Sequence, residues 1–228
     1  MERKSTVLLL TTVFAALSAQ AFGQRFDSIR PIMEKERVSP QEAAAVLAIS
    51  QGTGMSPGVV VRVKDKARAK LWDMGPAFYI GQITGSDPAY IWREHERGAS
   101  WDQLEGYGRR YDDNRRPKKP KNRGGLYDDY NGSYGRYGNS ADEAYSQMVW
   151  DRFLNRAFGA DVDRMWRFTH RGFSEADLAL AAYLGQLARV DPYQVMTQYD
   201  RMRNWNRVRD DIGVSSDWDS LRRYGRRR

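Results

Sequence analysis

Residues 77–104 read AFYIGQITGSDPAYIWREHERGASWDQL, and residues 181–208 read AAYLGQLARVDPYQVMTQYDRMRNWNRV. Laid over one another without a gap, 104 positions apart, they agree at eight of 28 positions. These are Ala77/Ala181, Tyr79/Tyr183, Gly81/Gly185, Gln82/Gln186, Asp87/Asp191, Pro88/Pro192, Arg97/Arg201 and Trp101/Trp205. Average composition gives about two such identities by chance. Ile80/Leu184, Ile83/Leu187, Ile91/Val195 and Leu104/Val208 add apolar matches, so the pair reads as an internal duplication.

Each copy has the pattern of helix, turn, helix, turn, short helix. Leu180, Ala181, Leu184, Leu187 and Ala188 fall on one stripe of a 3.6-residue period. Asp87-Pro88 and Asp191-Pro192 place a side-chain acceptor at a helix N-cap. The proline then stands at the first helical position, where its missing N–H costs nothing. Ser100-Trp101-Asp102-Gln103 spells a capping box for the third helix, and Asn204 takes the cap role in the second copy. Gly213 ends that helix, and Ser216 opens a last short one. Ser39-Pro40-Gln41-Glu42 and Ser56-Pro57 begin two earlier helices. Residues 161–178 resemble 191–208 at an offset of 30, which points to a repeat unit of about 30 residues, a capped helical pair. Residues 141–158 supply one additional helix, and the β-branched run at 59–63 follows Ser-Pro and reads as helix rather than strand. The fold class expected is all-α.

Between the copies, residues 107–140 carry six Gly, six Tyr and six Arg with a single aliphatic residue, Leu126. Such a stretch buries too little apolar surface to offset its ordering entropy and reads as a disordered linker. The chain therefore divides into a signal segment 1–23, an N-terminal helical-repeat module 24–106, a linker 107–140, a C-terminal module 141–221 and a basic tail 222–228. The first segment has Arg3 and Lys4, a short apolar run and Ala19-Gln20-Ala21, the pattern of an export signal cleaved near Ala21 or Gly23. Its apolar run is shorter than the roughly 20 residues of a spanning helix, and no later segment is apolar enough to span, so no integral membrane segment is expected in the mature chain. Periplasmic or extracellular localisation follows as an expectation.

The net charge of +8 is concentrated. The linker holds nine Lys/Arg against four Asp, and the tail holds five Arg and no acid, leaving the remainder mildly acidic. Arg109, Arg110, Arg115, Arg116, Lys118, Lys119, Lys121 and Arg123, with Arg222, Arg223, Arg226, Arg227 and Arg228, are candidates for binding an anionic polymer. The interleaved tyrosines suit stacking. The competing reading is a solvated tether.

For chemistry the chain offers little. It has no cysteine and two histidines, His95 and His170, so no metal ligand set and no cofactor is expected. Glu94-His95-Glu96 are helix neighbours whose side chains diverge. Glu175 and Asp177 read as first-turn acids rather than a glycosidase pair. Trp101 and Trp205 read as packing residues; a sugar- or peptide-stacking role needs the indoles exposed. Three functions are thus in play. The leading one is an exported, non-catalytic interaction or scaffold protein that holds a partner protein or envelope component. The second is a binder of nucleic acid, anionic lipid or cell-wall polymer through linker and tail. The third is an envelope hydrolase.

Overall fold

The computed structural model describes residues 28–111 and 140–214, with the backbone alone at 107–111. All of its regular elements among the described residues are helical. In order they are α1 (Arg30–Glu36), α2 (Pro40–Thr53), α3 (Pro57–Ala67), α4 (Gly75–Thr84), α5 (Pro88–Glu96), α6 (Trp101–Tyr111) and α7 (Ala141–Phe158). A 3-10 helix (Asp163–Arg171), α8 (Glu175–Ala188), α9 (Pro192–Met202) and α10 (Trp205–Asp211) complete the fold.

Local chemistry places most helix starts. Ser39, Ser140 and Ser174 accept backbone N–H bonds from the third residue on, and Asp87 and Asp191 accept from the second. Ser100 and Gln103 close the reciprocal box expected of them, and Asn204 accepts from Asn206 and Arg207. Ser56 precedes α3 without a side-chain cap bond. Residues 163–171, at the start of the repeat unit read from 161–178, form a tight 3-10 segment. Val162 stands at its start with no capping side chain, and Asp161 instead accepts from the Asp163 N–H in a local turn. Four helices end on an arginine in the left-handed region (Arg37, Arg68, Arg189 and Arg203), and a basic residue at that place suits the negative helix end.

The α6 backbone continues past residue 106. Once Ser100 and Gln103 have nucleated α6, each further residue adds one hydrogen bond, and the helix backbone runs through Arg109 and Arg110 to Tyr111. On the far side, α7 takes its cap from Ser140. The signal segment 1–23, linker residues 112–139, the tail 222–228 and the short helix expected from Ser216 lie outside the described residues.

The helices on the two sides of the linker share one buried core. A single buried cluster takes in Val46, Leu47, Phe78 and Trp101 from the first stretch and Trp150, Phe153, Leu180 and Val208 from the second. The packing is reciprocal: α2 lies against both α7 and α8, and α7 in turn lies against α4. Trp150 of α7 is fully buried, stacks on Trp72 at 3.7 Å with the rings 4° from parallel, and donates its indole N–H to the Trp72 carbonyl at 2.9 Å. Gly52 of α2 and Gly75 of α4 make room for these rings. A Cβ on Gly52 would stand 2.7 Å from Phe153 Cε1 and closer still to Cδ1, and one on Gly75 would stand 2.6 Å from Trp150 Nε1. The sequence divides at the linker; its hydrophobic surface does not.

Among the described residues no single helix is long and apolar enough to cross a membrane. Helices α2 and α3 reach that length only together, across a 109° bend, and α2 is buried almost throughout.

Candidate functional site

Corresponding positions of the two copies carry the same local contacts. Asp87 accepts from Ala89 and pairs with Lys66 at 2.7 Å; Asp191 accepts from Tyr193 and reaches Arg164 at 3.7 Å. The Lys66 ammonium holds the Asp87 carboxyl below its usual range. A Cβ on Gly81 would meet Pro88 Cγ at 2.8 Å, and one on Gly185 would meet Pro192 Cγ at 3.0 Å. The Gly-to-Pro approach of each helical pair therefore excludes any side chain at the glycine.

The tryptophans extend this correspondence. His95 stacks on buried Trp101 with centroids 3.6 Å apart, and its Nδ1 lies 2.9 Å from the Ala99 carbonyl. A carbonyl only accepts, so Nδ1 carries the hydrogen. In the second copy Tyr199 stacks on half-buried Trp205 at 3.8 Å. The ring at position 95 or 199 thus clamps the tryptophan that opens the next helix. Trp205 has a further anchor, since its Nε1 donates to Asp177 Oδ1 at 3.0 Å. The other oxygen of Asp177 accepts from the Ser174 N–H and hydroxyl at 3.1 and 2.7 Å. One nearly buried carboxylate therefore caps α8 and ties it to α10.

That arrangement yields a first prediction. Asp177→Ala removes a cap, worth about 1 kcal/mol, and strands the Trp205 indole N–H, worth about 1 kcal/mol more. We expect a loss of about 2 kcal/mol in urea unfolding at constant m-value. A change below about 0.5 kcal/mol, the size of an ordinary surface substitution, would show that the carboxylate ties nothing.

The other acids and histidine considered for catalysis are similarly placed. Glu94 is held by Arg97 at 2.6 Å. Burial raises the Glu175 carboxyl above its ordinary range, and the negative charges of Asp73 and Glu143 push in the same direction. Glu175 and Asp177 do not converge on a shared space, because both oxygens of Asp177 are taken by Ser174 and Trp205. His170 lies near the end of the 3-10 helix, on its exposed side. Among the described residues no group of three or more His, Cys, Asp and Glu is placed to hold a metal ion.

Of the candidate anion-binding residues, Arg109 and Arg110 lie on the backbone of α6. Arg115, Arg116, Lys118, Lys119, Lys121, Arg123 and the five tail arginines lie outside the described residues.

A second cationic surface, to which the sequence alone did not point, is built on the folded part. Arg164, Arg167 and Arg171 of the 3-10 helix are all exposed, at spacings of three and four residues. Arg164 and Arg167 lie 4.5 and 4.2 Å from the centre of the Tyr193 ring. Arg167 and Arg171 each stand 5.7 Å from Phe168, and Arg203, just after α9, covers Phe173 at 4.1 Å. Beneath them the rings run continuously: Tyr193 to Phe168 at 5.5 Å, Phe168 to Phe173 at 5.8 Å, and Phe173 to Tyr199 at 5.6 Å. Asp200 pairs with Arg171 at 2.5 Å and with Arg203 at 2.9 Å. Arg167 has ring partners and no carboxylate in ion-pair contact among the described residues. The available signal was Arg-x-x-Arg-x-x-x-Arg across 164–171, a one-sided helical spacing.

The chain matches no protein-family model, no curated protein and no solved structure.

Proposed function

We propose that this is an exported, non-catalytic helical protein that acts by holding a partner protein or envelope component. Its folded body arose by duplication of a helical unit, with the capped helical pair as the smaller element. The observation that carries the non-catalytic reading is the pair of ring stacks. His95 on Trp101 and Tyr199 on Trp205 do the same mechanical work, so the position asks for a flat ring and not for a proton acceptor. The order of the helices supports the duplication. The series α2, α3, α4, α5, α6 recurs as α7, the 3-10 helix, α8, α9, α10. Export rests on the pattern of residues 1–23.

The test is fractionation of cells carrying the native chain, with intact-mass analysis and in-cell cross-linking. We expect a species cleaved near Ala21 or Gly23, outside the cytoplasm and cross-linked to an envelope component. An uncleaved cytoplasmic chain would overturn the export reading. Hydrolysis of wall material by the purified chain, lost when Glu94, His95 and Glu175 are replaced together, would overturn the non-catalytic one.

A further inference from the structure

We propose that Arg164, Arg167, Arg171 and Arg203 form a binding face for a linear phosphodiester polymer, gripped through its phosphates and not through bases. The proposal is independent of the partner-holding reading above and of the linker and tail.

Three features carry it. The first is preorganisation. A free arginine loses much side-chain freedom when it binds, whereas a guanidinium laid flat on an aromatic ring has already given up most of it. Here Arg164, Arg167 and Arg203 sit within 4.1–4.5 Å of ring centres, and Arg164, Arg171 and Arg203 remain more than half exposed at the side chain. These side chains are therefore held against rings while much of their surface still faces solvent.

The second is spacing. With a rise of about 2.0 Å per residue in a 3-10 helix, steps of three and four residues set the arginines roughly 6 and 8 Å apart along the axis. A row of that kind suits an anion that repeats along a chain, since several groups engage at once and their contributions multiply. A lone carboxylate offers no such gain. Asp200 and Asp191 already supply carboxylates to Arg171, Arg203 and Arg164, so a successful ligand must displace them, and a polyvalent phosphate chain can. Arg167, without a carboxylate in ion-pair contact among the described residues, is the entry point.

The third is divergence between the copies. In the first copy the positions equivalent to Arg164, Arg167, Arg171, Tyr193 and Arg203 hold Val60, Val63, Ala67, Ala89 and Ala99. Val60 and Ala89 are buried. The first copy folds with small apolar residues at these places, so the helical framework does not require arginine or tyrosine there.

Base stacking is disfavoured by the same geometry. Of the two half-buried rings of the row, Tyr193 already carries two guanidinia and Tyr199 is stacked on Trp205. A base would have to displace those guanidinia from the ring, whereas a phosphate can pair with Arg167 directly and compete with Asp191 and Asp200 for the other three.

The experiment is fluorescence anisotropy of the full chain with an abasic 20-residue phosphodiester oligomer, beside oligo-dT of equal length, from 50 to 200 mM salt. We expect the two oligomers to bind alike. Arg164→Gln, Arg167→Gln and Arg171→Gln together should weaken binding about tenfold and flatten the log–log salt slope by about 2, roughly 0.7 for each phosphate no longer neutralised. Circular dichroism checks that this variant folds. If it does not, the corresponding triple lysine variant, which keeps charge and aliphatic stem, decides, and a loss of about threefold is expected because its point charge replaces the planar fork. Full affinity in the folded glutamine variant would overturn the proposal. So would a lysine variant that binds like the parent, absence of binding at 50 mM salt, or oligo-dT binding more than tenfold tighter than the abasic chain. The last result would make the surface a single-stranded nucleic-acid reader. None of these bears on cleavage, localisation or cross-linking, so the two readings fail separately.

Discussion

Trp150→Ala should lower the melting temperature by about 10 °C and should do so in one transition that takes α4 and α8 apart together. Replacing a buried tryptophan by alanine costs about 3–5 kcal/mol, and for a chain of this size each kcal/mol moves the melting temperature by about 2–4 °C. The site leaves little room for collapse. The ring is fully buried, stacked on Trp72, packed edge-on against Phe153 at 5.8 Å and aimed at the notch of Gly75. Its indole N–H also holds the Trp72 carbonyl, in the turn that leads into α4. Hydrogen exchange followed by mass spectrometry reads the outcome. Protection should fall by a similar factor in α2, α4 and α8, because α7 packs directly on each of them. Two separate transitions, with only the α7–α10 amides affected, would show two independent cores and contradict the shared one.

Gly52→Ala should cost about 2 kcal/mol net, an overpacking penalty at the top of its range, about 3 kcal/mol, less about 1 kcal/mol of helix propensity, opposite in sign to the usual benefit of alanine within a helix. Two effects compete. Gly-to-Ala inside a helix gains about 1 kcal/mol from propensity, and overpacking a filled core costs about 1–3 kcal/mol. The contact decides between them. The new Cβ would stand within 2.7 Å of two atoms of the Phe153 ring, and that ring is 1% exposed with no free side to move toward. Arg156 tightens the same approach by donating to the Gly52 carbonyl at 3.2 Å. Adding Phe153→Leu, which thins the ring side of the contact, should return part of the loss. A double-mutant cycle measures that coupling, and additivity within about 0.3 kcal/mol would mean that the two residues do not meet.

What the chain reveals before folding is what is local. Ser39, Asp87, Ser100, Asp191 and Asn204 announce their helices because each bonds a backbone N–H two or three residues on. Gly81 and Gly185 are legible as a pair because their duty, making room for Pro88 and Pro192, is discharged within the same short motif. The shared core was not legible. Trp72 and Trp150 lie far apart in the chain, across a composition break that reads as a domain boundary, and nothing in either neighbourhood names the other. The Arg164–Arg171 face stayed hidden for a similar reason. Exposed arginines at helical spacing read as solvated charge until Tyr193, from α9, is seen beneath two of them. The runs at 109–123 and 222–228 are denser in basic residues and more conspicuous in the sequence. His95 shows the converse case, a chemically suggestive residue in sequence that takes the same stacked posture as Tyr199.

The reciprocal packing of α2 on α8 and α7 on α4 also changes what the chain between α6 and α7 is for. A tether between separate bodies sets how far apart they can stand, so its length is under selection. Here α6 is already tied to the start of α7, through Trp101 N–H to Asp142 and Tyr145 O–H to Glu105, and doubling the length of a connecting loop would cost only about 0.6 kcal/mol of closure entropy. A change in the length of that stretch is therefore expected to leave the stability of the core nearly unchanged.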